Sequence, residues 1–323
     1  MFESLLRRLL QSAFVLLVMS MLAFVGIHLI GDPVHLLINP ASTAEEVEQA
    51  RKSLGMDQPI YLQYWTFLVH ALHGDLGKSF VFNEPAMRLI LDRMPATFEL
   101  ALVSLFISSV VGIPLGLLCG LKPDGWLHKL VMGGSIVGVT VPAFWSSLLL
   151  ILVFSVNLGW LPSGGRGPVV HVLGVPTSMA SWEGLRHLLL PAITLALMNT
   201  AIVLRLTEAG TREVTGQEYV RFARAKGVGN VRLLVRHIAP NVMIPVVTAL
   251  GLEFGHLIAF SVVTESVFAW PGMGKLIIDS ILQLDRPVVV AYLMFTLVLF
   301  VLINFVVDAL YVVLDPRLRV KAA

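Results

Sequence analysis

The chain has 323 residues, of which 56% are hydrophobic and 14% charged, with 23 Lys and Arg against 21 Asp and Glu. Soluble domains carry about 25% charged residues, so this composition excludes an ordinary soluble globular fold. A single cysteine, Cys119, excludes an intrachain disulfide framework.

The apolar residues arrive in blocks. Leu9 to Ile30 contains no Asp, Glu, Lys or Arg, and neither do Leu100 to Leu121, Leu130 to Gly165 and Pro287 to Val307. A bilayer-spanning helix needs about 20 such residues, and within lipid only helices or closed barrels satisfy their own backbone. The blocks are too long and too continuous for barrel strands, which alternate with period two. The first block also exceeds the 7–15-residue core of a signal peptide, and no convincing small-x-small cleavage site follows it. It is expected as an uncleaved first span. Two further segments read as spans despite interruptions. One is Leu188 to Leu204, with Pro191 near its start; the other is Ile238 to Ser266, broken by Glu253, His256 and Glu265.

The expected fold class is therefore all-α and polytopic, with six transmembrane helices near 9–30, 97–120, 130–157, 188–207, 240–265 and 288–312. Three regions follow: residues 1–30 with the first helix, an extracytoplasmic lobe over 31–95, and a membrane core over 96–323 that carries a cytoplasmic loop at 208–239. The positive-inside rule sets the orientation. With both termini inside, the short inner segments hold Arg7, Arg8, Lys122, Lys129, seven cations between 205 and 236, and Arg317, Arg319 and Lys321, which is 14 of the 23. In the lobe, Thr43 followed by Glu46 reads as a capping box opening a short helix, with Gly55 as its stop.

Few residues suggest chemistry. His73 to Ser79 reads HGDLGKS and ends as a nucleotide-binding P-loop does, but position 72 is leucine where that motif needs glycine. No cofactor is expected in this chain. His70 and His73 share a helical face, yet without neighbouring acids or cysteines they read as surface or packing residues, so no metal site is expected. Acids inside spans are costly and mark function by default. Glu99 and Glu265 sit near predicted span ends, where they reach water or a polar partner. Glu253 is deeper, with His256 on its helical face, and both a cavity-lining and a helix-packing role stand open.

Residues 218 to 234, EYVRFARAKGVGNVRLL, form a basic stretch between two apolar runs. Positive-inside charge beside anionic lipid is the simplest explanation, but it leaves the internal pattern unexplained. Gln217 to Lys226 is helix-compatible, places Tyr219, Phe222, Ala223 and Lys226 on one face, and stops at Gly227 and Gly229. Exposed aromatics on a short helix invite a protein partner whose pockets they fill.

The stretch resembles the EAA loop of binding-protein-dependent ABC importer permeases. Gly227 matches the loop's glycine, Ala223 its second alanine and Pro240 its proline. Arg221 and Phe222 stand where the general pattern has Glu and Ala, and His237 and Ala239 where it has Ile and Leu. The form ARAKG is similar to that of the dipeptide/oligopeptide/nickel branch. So are LGMDQPIYLQY at 54–64, GDLGKS at 74–79, PATFEL at 95–100, VPAFW at 141–145, TESVFAWPGMG at 264–274 and DALYVVLDPRLR at 308–319. The large outer segment after the first span resembles the B-type subunit of that branch.

The resemblance implies a bacterial inner-membrane, multi-pass subunit that is not itself an enzyme. It would form half of a translocation path with a homologous second permease. Two cytoplasmic ABC ATPases would bind ATP and Mg, and an extracytoplasmic binding protein would deliver substrate. Lipid surrounds the chain, and no nucleic-acid partner is implied. It further implies ATPase coupling through residues 215–240, at Glu218, Tyr219, Arg221, Phe222, Ala223, Arg224, Ala225, Lys226, Gly227 and Pro240. Glu253, His256, Glu265, Pro271 and Gly272 are the candidates for the path or its gate. Di- or oligopeptides are the first expected substrate, with nickel, a metal chelate or metallophore, and glutathione as alternatives. A proton-coupled carrier using Glu253 and a non-transporting scaffold are the competing classes.

Overall fold

A computed structural model describes residues 2–29, 45, 52 and 57–314. The expected Thr43–Gly55 helix and the cations Arg317, Arg319 and Lys321 lie outside the described residues. The chain divides into two compact units: Met1–Met94 with Leu276–Val301, and Pro95–Lys275 with Leu302–Ala323.

In chain order the described helices are α1 (Phe2–Leu29), α2 (Ile60–Leu72), α3 (Ala86–Leu121), α4 (Trp126–Thr140) and α5 (Ala143–Leu150), the last continuing as a π-helical turn over Ile151–Asn157. A two-stranded hairpin follows, β1 (Val170–Val172) and β2 (Val175–Thr177). Then come α6 (Trp182–Thr215), α7 (Glu218–Ala225), α8 (Asn230–Leu233), a π turn at Leu234–Ile238, α9 (Ala239–Val267), α10 (Met273–Leu282) and α11 (Arg286–Leu314).

Among the described residues, four helices are long and apolar enough to cross a membrane: Ala86–Leu121, Trp182–Thr215, Asn230–Val267 and Arg286–Val307. The bent pair α4–α5 makes a fifth if it is one span. The apolar stretch of α1, Ala13–Gly26, is shorter than these. The helices overrun the expected boundaries. At about 1.5 Å rise per residue the 36-residue α3 is roughly 54 Å long, well beyond a hydrocarbon core of about 30 Å. Pro191, expected near a helix start, lies nine residues inside α6. Residues 208–215, expected in the loop, complete that helix.

The third span departs most from expectation. Its uncharged run reads as one helix over 130–157, but the chain breaks at Val141–Pro142 and turns by 106°. A residue before proline is pushed out of the α region, and Val141 is extended at φ −77°, ψ 124°. The helix therefore stops at Thr140 and restarts behind Pro142.

The second unit is built on α6, which packs against α4, α9 and the C-terminal half of α3. Gly112, Gly116 and Gly120 recur every fourth residue along α3. A Cβ on them would stand 3.0 Å from Val203 Cγ1, 2.6 Å from Thr207 Cβ and 2.5 Å from Thr211 Cβ. Small residues at this spacing let two helix backbones approach closely. In the first unit, Asp285 accepts hydrogen bonds from the Ser79 hydroxyl and the Phe80 amide. The P-loop look-alike is thus a turn tied down by a carboxylate.

Candidate functional site

Two constructions in the second unit answer to the residues singled out above. The first is the basic stretch. After α6 closes at Gly216, α7 begins behind Gln217 and runs for eight residues. Its end is a Schellman motif: Gly227, at φ +78°, donates its amide to Arg224 O, and Val228 donates to Ala223 O. Nothing lies within 4 Å of a Cβ built on Gly227, so the need for glycine comes from the left-handed backbone alone.

The helix is clamped by its inner face. Val220 and Ala223 are buried in a cluster with Val203 of α6, Leu233, Ile238, and Val242 and Val246 of α9, against which Val214 and Val228 also pack. Ala223 thus faces inward, away from Tyr219, Phe222 and Lys226, with which the sequence grouped it. Val220, unremarked in the sequence, is the deeper anchor. Its signal was available, since Val220 is the one branched aliphatic residue in α7 and lies at i, i+3 from Ala223.

The outer face carries Tyr219, Phe222, Arg221, Arg224, Ala225, Lys226 and Glu218, all exposed. Lys226 Nζ sits 4.5 Å from the centroid of the Phe222 ring, a cation–π contact that holds the ammonium on an aromatic plate. Arg221 Nη1 is 3.3 Å from Glu218 Oε1, leaving net positive charge on this face. Beyond Gly229 the chain does not wait for Pro240 to turn helical. Asn230–Val267 is one continuous 38-residue helix, with a π turn at Leu234–Ile238 just before Pro240. At the other end of the loop, Glu208 of α6 lies 3.4 Å from both His128 Nε2 of α4 and Arg212 Nη1, tying α4 to the helix that leads into α7.

The second construction surrounds the turn after α9. Glu265 is fully buried. Its carboxylate accepts from Thr97 Oγ1 (2.7 Å), Ser261 Oγ (3.0 Å) and the Lys275 amide (3.0 Å), while Thr97 Oγ1 in turn accepts from the Met273 amide at 2.8 Å. Gly272 and Gly274 wrap this carboxylate. A Cβ on Gly272 would land on the Glu265 side chain, and one on Gly274 would stand 2.6 Å from Val262 Cα. Pro271 precedes them, half-buried, and Ala269 takes a left-handed φ of +48° to make the corner. Trp270, fully buried, donates its indole N–H to Ala96 O at 2.9 Å. Gly272→Ala should therefore destabilise the turn by about 1–3 kcal/mol through overpacking, read as faster proteolysis at 268–272. Unchanged protease resistance would contradict the packing.

A neighbouring network shares the same helix. Glu99 is buried and paired with Arg166, whose Nε and Nη2 lie 3.1 and 2.6 Å from Glu99 Oε2. Its other oxygen accepts from Thr177 Oγ1, Ser178 N, Ser178 Oγ and Met179 N at 2.7–3.0 Å. Arg166 also donates to Pro176 O and lies 5.9 Å from the Trp270 ring centroid. The hairpin, the α3 helix and the 268–272 corner are thereby fastened together, with Gly165 N donating to Phe268 O at 2.8 Å. Arg166 went unnoticed in the sequence because its partner is 67 residues away.

Glu253 and His256 stand together at the 3.8 Å separation of an i, i+3 pair, with His256 edge-on to Phe260. His256 and Phe260 are exposed on α9, and Glu253 is largely covered. They do not meet Glu265, whose carboxylate is engaged elsewhere. Among the described residues no group of three His, Cys, Asp or Glu side chains is arranged to hold a metal.

Helices long and apolar enough to cross a membrane, joined by a short helix with a cationic, aromatic outer face, mark a membrane protein. The chain belongs to the binding-protein-dependent transport system inner membrane components. That family's model matches residues 112–320, and the model "Binding-prot-dependent transport system membrane comp, N-term" matches 1–101. The chain is 38% identical over 322 residues, 99% of its length and 100% of the relative's, to the glutathione transport system permease protein GsiC of Escherichia coli O6:H1 (strain CFT073). It is 36% identical, over the same shares, to the GsiC protein of Salmonella typhimurium (strain LT2). A solved inward-facing structure of the MetNI methionine ABC transporter matches with a TM-score of 0.56 at 19% identity, covering 71% of this chain and 97% of that one. The fold is thus that of an ABC importer permease. This chain is a permease subunit in a bacterial inner membrane, a transport component rather than an enzyme, and works with ATPase and substrate-binding components.

Proposed function

We propose that this permease carries glutathione or a closely similar small peptide. Full-length identity of 38% to a protein named for glutathione transport carries this reading over the broader di- and oligopeptide expectation and over nickel or metallophore cargo. In the assembled importer the chain spans the membrane six times with both termini inside and pairs with a homologous second permease. Two ATPases and a binding protein complete it. The outer face of α7, from Glu218 to Lys226, docks into an ATPase, and Gly227 and Pro240 fix its pose. The exposed His256–Phe260 face of α9, with Glu253 behind it, lines the path. Glu265, Pro271 and Gly272 hold the corner at the outer mouth.

The test is uptake of labelled glutathione by the reconstituted importer with its own binding protein, with an unlabelled dipeptide and nickel as competitors. ATP-dependent glutathione uptake that neither competitor reduces is the expected result. Glutathione exclusion with dipeptide uptake would overturn the substrate. Uptake that persists without ATP and collapses with the proton gradient would favour the proton-coupled carrier.

A further inference from the structure

The first unit contains a cavity of about 400 Å3 between α1 and the α10–α11 corner, lined by Leu22, Ala23 and Gly26 on one wall and by Ser280, Arg286 and Leu293 on the other. That volume falls within the range of about 300–1,000 Å3 typical of small-molecule sites.

Two features show that the space is made rather than left over. Gly26 lies inside a helix, where glycine is less stable than alanine. At Gly116 and Gly120 close packing accounts for that choice, because a Cβ would stand 2.6 and 2.5 Å from a neighbour. At Gly26 a Cβ would meet nothing within 4 Å, so the missing side chain opens the cavity wall. The second feature is Ser280, 2% exposed, whose hydroxyl has no hydrogen-bond partner among the described residues. Several buried hydroxyls, among them Ser104, Ser147, Thr207 and Thr211, return their proton to a carbonyl one turn back; Thr264 and Thr296 share the orphaned state of Ser280, but neither lines this cavity. A buried hydroxyl left unpaired is costly, unless something that enters the cavity accepts from it.

The occupant must be apolar along most of its length and carry an acceptor at one end. Arg286, 6% exposed, also belongs to the wall. The cavity's rim is made of exposed apolar side chains, among them Leu22, Ile281, Leu284 and Leu293, and α11 begins a span with no charged residue from Pro287 to Val307. The mouth therefore opens to the hydrocarbon that surrounds such helices. We propose that the cavity holds one acyl chain of a membrane phospholipid, with an ester or phosphate oxygen accepting from Ser280 Oγ. The proposal rests on the membrane location of the chain and is independent of the substrate.

The experiment is native mass spectrometry of the whole importer, reconstituted in phosphatidylethanolamine and phosphatidylglycerol nanodiscs and then stripped with detergent, followed by lipid extraction. The wild-type complex should keep one phospholipid per copy of this subunit that resists stripping. Gly26→Leu puts a side chain where a Cβ meets nothing within 4 Å and should abolish its retention, and Ser280→Ala should shorten it. The Ser280→Ala variant keeps the test decisive if Gly26→Leu fails to assemble. Equal retention by wild type and both variants, complete stripping of the wild type, or recovery of a free fatty acid in place of a phospholipid would each overturn the proposal.

Discussion

Replacing Glu99 with alanine is expected to cost about 3–5 kcal/mol, the penalty for leaving a buried charge without its partner. Arg166 is itself buried and directs two nitrogens at Glu99. Four further donors, from Thr177, Ser178 and Met179, lose their acceptor in the same step. Because buried pairs are often replaceable by apolar groups without loss, the double variant Glu99→Leu with Arg166→Met should recover the part of the loss due to the stranded Arg166 charge, leaving the part due to the four donors. Denaturant unfolding of the detergent-solubilised subunit reads both. A Glu99→Ala loss below about 1 kcal/mol would place the pair among exposed ion pairs of little worth.

The second large effect concerns coupling. Val220→Asp puts an unpaired carboxylate into the cluster formed by Val203, Ala223, Ile238, Val242 and Val246, where burial of a lone charge is prohibitive. The expected response is that α7 leaves its seat while the long helices, which do not depend on it, stay inserted. Co-purification of the ATPases should be lost and ATP-driven uptake should fall to background, with the subunit still present in membranes. Val220→Leu, an apolar replacement, should retain both. Full ATPase association by Val220→Asp would show that the outer face grips its partner without the inner clamp.

These two sites divide along what a one-dimensional reading can carry. Apolar runs report membrane helices directly, so α3, α6, α9 and α11 were visible, though their overhanging ends were not, since helix continues into charged segments such as Thr207–Thr215. The 106° break at Val141–Pro142 hid inside a run of 36 uncharged residues, where hydropathy gives no sign of a turn. In the basic stretch, the helix, its glycine stop and its exposed aromatics were legible because each is a local property. The inward role of Ala223 was not, because the partner surface comes from α6 and α9. The Glu99–Arg166 pair and the Glu265 cradle depend on contacts across 67 and 168 residues, which no local pattern encodes.

The glycine row on α3 bears on how the subunit moves. Knobs from Val203, Thr207 and Thr211 seated over Gly112, Gly116 and Gly120 leave no clearance at any of the three positions. Axial slip would drive a side chain into backbone within a fraction of a helical turn. The two segments therefore share one set of coordinates, like gear teeth engaged at three points. Since only two residues separate the end of α6 from the start of α7, a tilt delivered there is delivered to the C-terminal half of α3 as well. Bulkier residues at the three glycines would turn one moving part into two.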